Sequence, residues 1–168
     1  MAPRAVFVGA PGAGKSTIGA AVAALLGAEF ADADTLIEAR AGKPIPEIFI
    51  DDGEEAFRAL ERQVISETLK SFDGVLALGG GAILHDGTRK LLTEHTVVYL
   101  SVELSDAVKR VGLGAGRPLL NLNPRATLKF LLDQRRPLYA EVATHTVATD
   151  GRAPAEIAAE VAERLTAA

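Results

Sequence analysis

Residues 5-AVFVGAPGAGKST-17 decide the fold. Ala5 to Val8 form a short apolar run that reads as a buried strand. Gly9, Gly12 and Gly14 then interrupt the pattern. Lys15-Ser16-Thr17 opens a stretch with Ile18, Val22, Leu25 and Leu26 at helical spacing, closed by Gly27. A strand, a Gly-x-x-x-x-Gly-Lys-Ser loop and a helix, in that order, make a phosphate-binding loop. Glycines let the backbone curl until several N–H groups point inward at a phosphate. The helix N-terminus adds the positive end of its dipole. On this reading Gly12, Ala13 and Gly14 cradle the phosphates through the backbone. Lys15 places a compact charge on the β- and γ-oxygens, and the Ser16 hydroxyl ligates Mg²⁺. Thr17 reaches the α-phosphate. The expected ligand is a nucleoside triphosphate.

Outward from the loop, strands alternate with helices. Short apolar runs at 28–31, 74–78, 96–102 and 144–148 read as four more strands. Helical spacing covers 34–41, 53–72, 104–111, 124–135 and 153–165. The last of these carries Ile157, Val161 and Leu165 on one stripe, a face for packing on a sheet. The pattern predicts a three-layer α/β P-loop NTPase fold: about five parallel strands flanked by helices. With 168 residues, no repeat and no linker, the chain is expected to be one domain over 1–168. Segment 112–123 is rich in breakers around Arg117 and has little periodicity. It is expected to be a flexible lid, because phosphoryl transfer needs water kept out.

Composition narrows the function. The net charge of −4, with pI ≈ 5.4, argues against a general polyanion binder. Aromatics at 5% and the absence of Trp leave no stacking platform for single strands. The absence of cysteine removes disulfides, thiolate metal sites and a thiol nucleophile. His85, His95 and His145 are scattered without metal spacing and read as surface residues. No apolar run approaches the ~18 residues of a membrane span. A cytoplasmic monomer acting on small molecules, with no nucleic-acid or membrane partner, is expected.

An N-K-x-D tetrapeptide, which reads the base in GTPases, does not occur. The strand at 74–78 ends in glycines rather than in the acidic residue usual in motor ATPases. Six pieces, the loop among them, carry a specific likeness: GAPGAGKST at 9–17, DAD at 32–34, DGEEAFRALE at 52–61, LGGGA at 78–82, RPLL at 117–120 and R-x-P-L-Y at 135–139. In order and spacing the chain resembles the shikimate kinases, over essentially its full length. The resemblance implies transfer of the ATP γ-phosphoryl group to the 3-hydroxyl of shikimate, with Mg²⁺. It implies that Asp34 binds the substrate diol, as a base or only by positioning, and that Asp32 with Ser16 holds the metal. Arg58 and Arg135 would grip the substrate carboxylate, with Arg136 the alternative to Arg135. Gly79, Gly80 and Gly81 would lie against the substrate, and Arg117 would reach the transferred phosphate. Arg110 and Arg152 would flank the adenine. Another small kinase, for gluconate or a nucleoside monophosphate, is the rival enzyme, and a panel of acceptors separates them. A regulatory module that has lost catalysis predicts loss of Lys15, Ser16 or Asp34, and all three are present.

Overall fold

The computed structural model describes residues 3–103 and 124–167. Five strands form one parallel sheet: β1 (Ala5–Val8), β2 (Glu29–Asp32), β3 (Gly74–Ala77), β4 (Val97–Ser101) and β5 (His145–Ala148), in the order β2-β3-β1-β4-β5. Six α-helices surround it among the described residues: α1 (Lys15–Leu26), α2 (Ala33–Ala41), α3 (Ile45–Ser71), α4 (Asp86–Leu92), α5 (Pro124–Val142) and α6 (Pro154–Thr166).

Alternation along the strands sorts the core into two layers. Phe7, Val75, Ala77, Val98, Leu100 and Val147 point to one face, beneath Ile18 and Val22 of α1 and Ile157 and Val161 of α6. Val6, Leu76, Leu78, Val97 and Tyr99 point to the other, against Ile65 and Leu69 of α3, Leu92 of α4 and Tyr139 and Val142 of α5. Each large side chain withdrawn from water here contributes about 1.5–3 kcal/mol. The central strands β1 and β3 are buried at every residue, whereas the edge strands β2 and β5 are largely part-exposed. Ile37 of α2 packs on Ile48, Phe57 and Val64 of α3 in a satellite cluster. Because all strands run parallel, their following loops gather on one edge, where such sheets bind ligands.

The structure corrects three expectations of extent. The helix expected from residue 53 begins at Ile45, because Pro46 sits in its first turn, where the missing N–H is not needed. Its two halves meet at Gly53, with φ 88 and ψ 166. Helix α4 was not expected; the His85 side chain accepts from Thr88 N at 3.2 Å and caps it, so His85 is a structural cap. Helix α5 runs past Pro137 to Val142 rather than ending at 135, because Tyr139 and Val142 are buried in the core. The expected helix 104–111, the lid 112–123, Arg110 and Arg117 lie outside the described residues.

Candidate active site

The loop after β1 is shaped by close contact. A Cβ at Gly9 would stand 2.6 Å from the Leu100 carbonyl oxygen, so a side chain there would drive β1 from β4. Gly14 takes φ 93 as the residue before α1, a conformation costly to any residue with a Cβ. It offers no capping side chain, and the first turn of α1 holds no acidic residue. The positive end of the α1 dipole is therefore directed at the loop without a carboxylate of its own turn to offset it. Lys15 Nζ donates to the carbonyls of Gly9 at 2.8 Å and Ala10 at 3.0 Å, which holds the ammonium across the loop. Backbone curl, dipole and ammonium converge where a polyphosphate would lie.

Ser16 and Asp32 come from different elements and meet. The Ser16 hydroxyl donates to Asp32 Oδ2, while Asp32 Oδ1 accepts from Asp34 N at 2.9 Å and caps α2. One hydroxyl and one carboxylate are the hard oxygen donors that Mg²⁺ takes, the remainder of its octahedron coming from water and phosphate. The residues present fit that ion. Among the described residues no group of three or more His, Asp or Glu could hold a metal by itself.

Beyond β3, Gly79, Gly80 and Gly81 lie between the phosphate loop and a charged cluster. A Cβ at Gly80 would stand 2.9 Å from Pro11 Cδ of the loop. One at Gly79 would be 2.9 Å from Asp34 Oδ1 and 3.3 Å from Glu61 Oε2. One at Gly81 would be 2.5 Å from Arg58 Nη2. The glycines are thus spacers: any side chain would fill the ground beside the carboxylates and the guanidinium. Arg58 Nη1 donates to Glu61 Oε1 at 2.8 Å, one turn along α3, and its Cζ lies 5.1 Å from the Phe57 ring centroid. Arg135 is only 6% exposed and shares this cluster, as does Tyr139, whose hydroxyl donates to the Gly80 carbonyl at 2.6 Å.

Burial pushes the Glu61 carboxyl above its ordinary range. The positive charges of Arg58 and Arg135 pull it back, and the nearby negative charge of Asp34 pushes it further up. Burial likewise pushes the Tyr139 hydroxyl up to about 12, against the charge and hydrogen bond of Arg135. Tyr139 therefore stays a neutral donor at ordinary pH. Chemically, two guanidinium groups and an alcohol-orienting carboxylate beside a phosphate loop suit phosphoryl transfer to a small hydroxylated acid.

The structure brings Asp34, Arg58, Gly79, Gly80, Gly81 and Arg135 into one cluster, beside the phosphate loop with Lys15, Ser16 and Asp32. Arg136 lies elsewhere: its Nη2 donates to Val102 O at 3.3 Å, and it faces Asp133 and Glu103. Arg152 stands after β5 and is held by the protein itself. It donates to Ala148 O at 2.9 Å, Glu156 at 3.2 Å and Glu160 at 2.6 Å. Thr17 is exposed in the first turn of α1. Sequence reasoning missed two residues. Glu61 was legible only as an i,i+3 partner of Arg58, and its burial came from the fold. Tyr139 was legible only as the end of R-x-P-L-Y, one turn from Arg135.

A family model described as shikimate kinase matches residues 11–166. A shikimate kinase of Salinispora arenicola is 67% identical over 99% of this chain and 100% of its own length. One of Thermobifida fusca is 57% identical over 99% of this chain and 96% of its own. Among solved structures, a shikimate kinase from Acinetobacter baumannii in complex with shikimate superposes with a TM-score of 0.93 at 39% identity, covering 98% of this chain and 93% of that one. The shikimate kinase of Aquifex aeolicus gives 0.83 at 28% identity, covering 96% and 95%.

Proposed function

The chain belongs to the shikimate kinase family, and from that premise we propose how its own residues phosphorylate the 3-hydroxyl of shikimate with ATP, giving shikimate 3-phosphate and ADP. One domain over 1–168 carries the whole reaction, as a monomer in the cytoplasm. The backbone of Gly12, Ala13 and Gly14 cradles the phosphates. Lys15 leaves its two loop carbonyls for the β- and γ-oxygens, where charge accumulates as the phosphoryl group moves. Thr17 reaches the α-phosphate. Ser16 and Asp32 would hold Mg²⁺, which supplies charge neutralisation on the β- and γ-phosphates when bound.

On the acceptor side, Arg58 and Arg135 grip the carboxylate as two planar forks, while Gly79, Gly80 and Gly81 let the ring approach the backbone. Asp34 orients the reacting hydroxyl; a loose phosphoryl-transfer transition state asks for positioning more than for a strong base. The resemblance gives Arg117 to the moving phosphate and Arg110 to the adenine. It gives the other side of the adenine to Arg152. With its three guanidinium nitrogens already donating to protein oxygens, Arg152 serves the base by its planar face.

The observation that carries the reading is the glycine run between Pro11 of the phosphate loop and the Arg58 guanidinium. It supports an anion-binding acceptor site directly against the triphosphate site. The test is an ADP-release assay with shikimate, gluconate and nucleoside monophosphates as acceptors. Turnover with shikimate alone, in the usual ~1–10³ s⁻¹ range, is expected. Preference for gluconate or a nucleotide would refute the assignment of these residues.

A further inference from the structure

We propose that Tyr139 is a positioning residue for the acceptor site, its hydroxyl locking the Gly80 backbone and the Arg135 guanidinium into one register. The inference rests on the reading of Gly80 and Arg135 as substrate contacts. It adds a residue that itself touches neither the acceptor nor ATP.

The geometry is specific. Tyr139 is 1% exposed, and its ring packs on Tyr99 with centroids 5.1 Å apart. That stack fixes where the hydroxyl can be. A phenol has one proton to give and lone pairs to receive. The proton goes to Gly80 O at 2.6 Å, across 59 residues of chain. The Arg135 guanidinium, one helical turn earlier in α5, lies beside the same oxygen. One buried atom therefore joins the loop that meets the substrate hydroxyls to the cation that meets its carboxylate.

Shikimate presents both groups on one small rigid ring, so the distance between their two partners has to be fixed. Helix α5 and the glycine loop come from distant stretches of chain, and this hydrogen bond joins them directly at Gly80. Slippage between them by a few tenths of an ångström would misalign one contact whenever the other is made. Without the hydroxyl, the Gly80 carbonyl loses its donor and the Arg135 fork one of its restraints.

Tyr139→Phe keeps the ring on Tyr99 and removes only the hydroxyl. KM for shikimate, and the Kd from calorimetric titration, are expected to rise about 10-fold. KM for ATP should stay unchanged, and kcat within about threefold. Tyr99→Phe takes a hydroxyl from the same stack and should leave all three constants as they were. In an Arg135→Ala background the further effect of Tyr139→Phe should shrink to about threefold or less, because no fork remains to be oriented. A variant that melts lower but binds shikimate as the wild type does would overturn the inference. So would equal rises in KM for shikimate and ATP, or full additivity with Arg135→Ala. A wild-type enzyme that leaves shikimate unphosphorylated would sink the functional reading and this inference together. Normal wild-type turnover with an unaffected Tyr139→Phe sinks only the inference.

Discussion

Replacing Glu61 tests how the acceptor cations are held. Its carboxylate is 2% exposed and receives Arg58 Nη1 at 2.8 Å. Removing one member of a buried ion pair costs about 3–5 kcal/mol, because the other is left desolvated and uncompensated. Arg58 is itself only partly buried, with 20% of its side chain exposed, so the lower end applies to Glu61→Ala. At about 2–4 °C per kcal/mol for a chain of this size, Glu61→Ala should melt roughly 6–12 °C lower. Glu61→Gln keeps an oxygen for Arg58 and should lose only about 1–2 kcal/mol. KM for shikimate should rise about 10-fold or more in the alanine variant, with KM for ATP unmoved. The pH dependence has a definite sign. The Glu61 carboxyl is raised above its unfolded value of 4.5, so its contribution to stability is full below that pH and is lost as pH rises through the folded value. The wild type should therefore gain on Glu61→Gln as pH falls through the folded value toward 4.5. Thermal melts and steady-state kinetics on the three proteins decide the matter. A Glu61→Ala protein that melts within about 1 °C of the wild type and binds shikimate equally well would refute the reasoning.

Lys15→Ala should lower kcat by about 10²–10³-fold or more while leaving the melting temperature nearly unchanged, since the ammonium donates to loop carbonyls. Near-normal kcat would remove Lys15 from the phosphate site. Gly81→Ala should raise KM for shikimate about 10-fold, because its Cβ would displace the Arg58 guanidinium; an unchanged KM would show that Arg58 does not need that position. Tyr139, raised from 10.0 to about 12, contributes stability that is full below pH 10 and lost as pH rises through 12, roughly 3 kcal/mol in all. Urea melts at alkaline pH should show this fall in the wild type and lack it in Tyr139→Phe.

What the sequence displayed was whatever is local. The phosphate loop is a run of adjacent residues between a strand and a helix. The central strands are continuous apolar runs because both sheet faces are covered. Short, weakly patterned or proline-bearing segments hid their structure. Helix α4 has two turns, contains Gly87 and is capped by a histidine, so neither propensity nor a usual cap announced it. Pro46 and Pro137 both lie within helices, one in a first turn and the other carried by a buried helix end. The clustering of Asp34, Arg58, Arg135 and Gly79–Gly81 was readable through family resemblance alone, since the residues sit on separate elements. The Tyr139–Gly80 hydrogen bond joins positions 59 apart and left no trace in periodicity or motif spacing.

The central claim is that two arginines recognise a carboxylate on the acceptor. The most direct measurement is a coupled assay of the purified protein with shikimate and shikimate methyl ester side by side. The ester keeps every hydroxyl and loses only the negative charge. Each charge-assisted hydrogen bond to the carboxylate is worth about 1.5–3 kcal/mol, so kcat/KM for the ester should be lower by at least about 10-fold. Arg58→Ala should narrow that ratio toward one, because half of the grip is already gone. If the wild type phosphorylates the ester as efficiently as shikimate, Arg58 and Arg135 do not bind the carboxylate, and the account of this site is wrong.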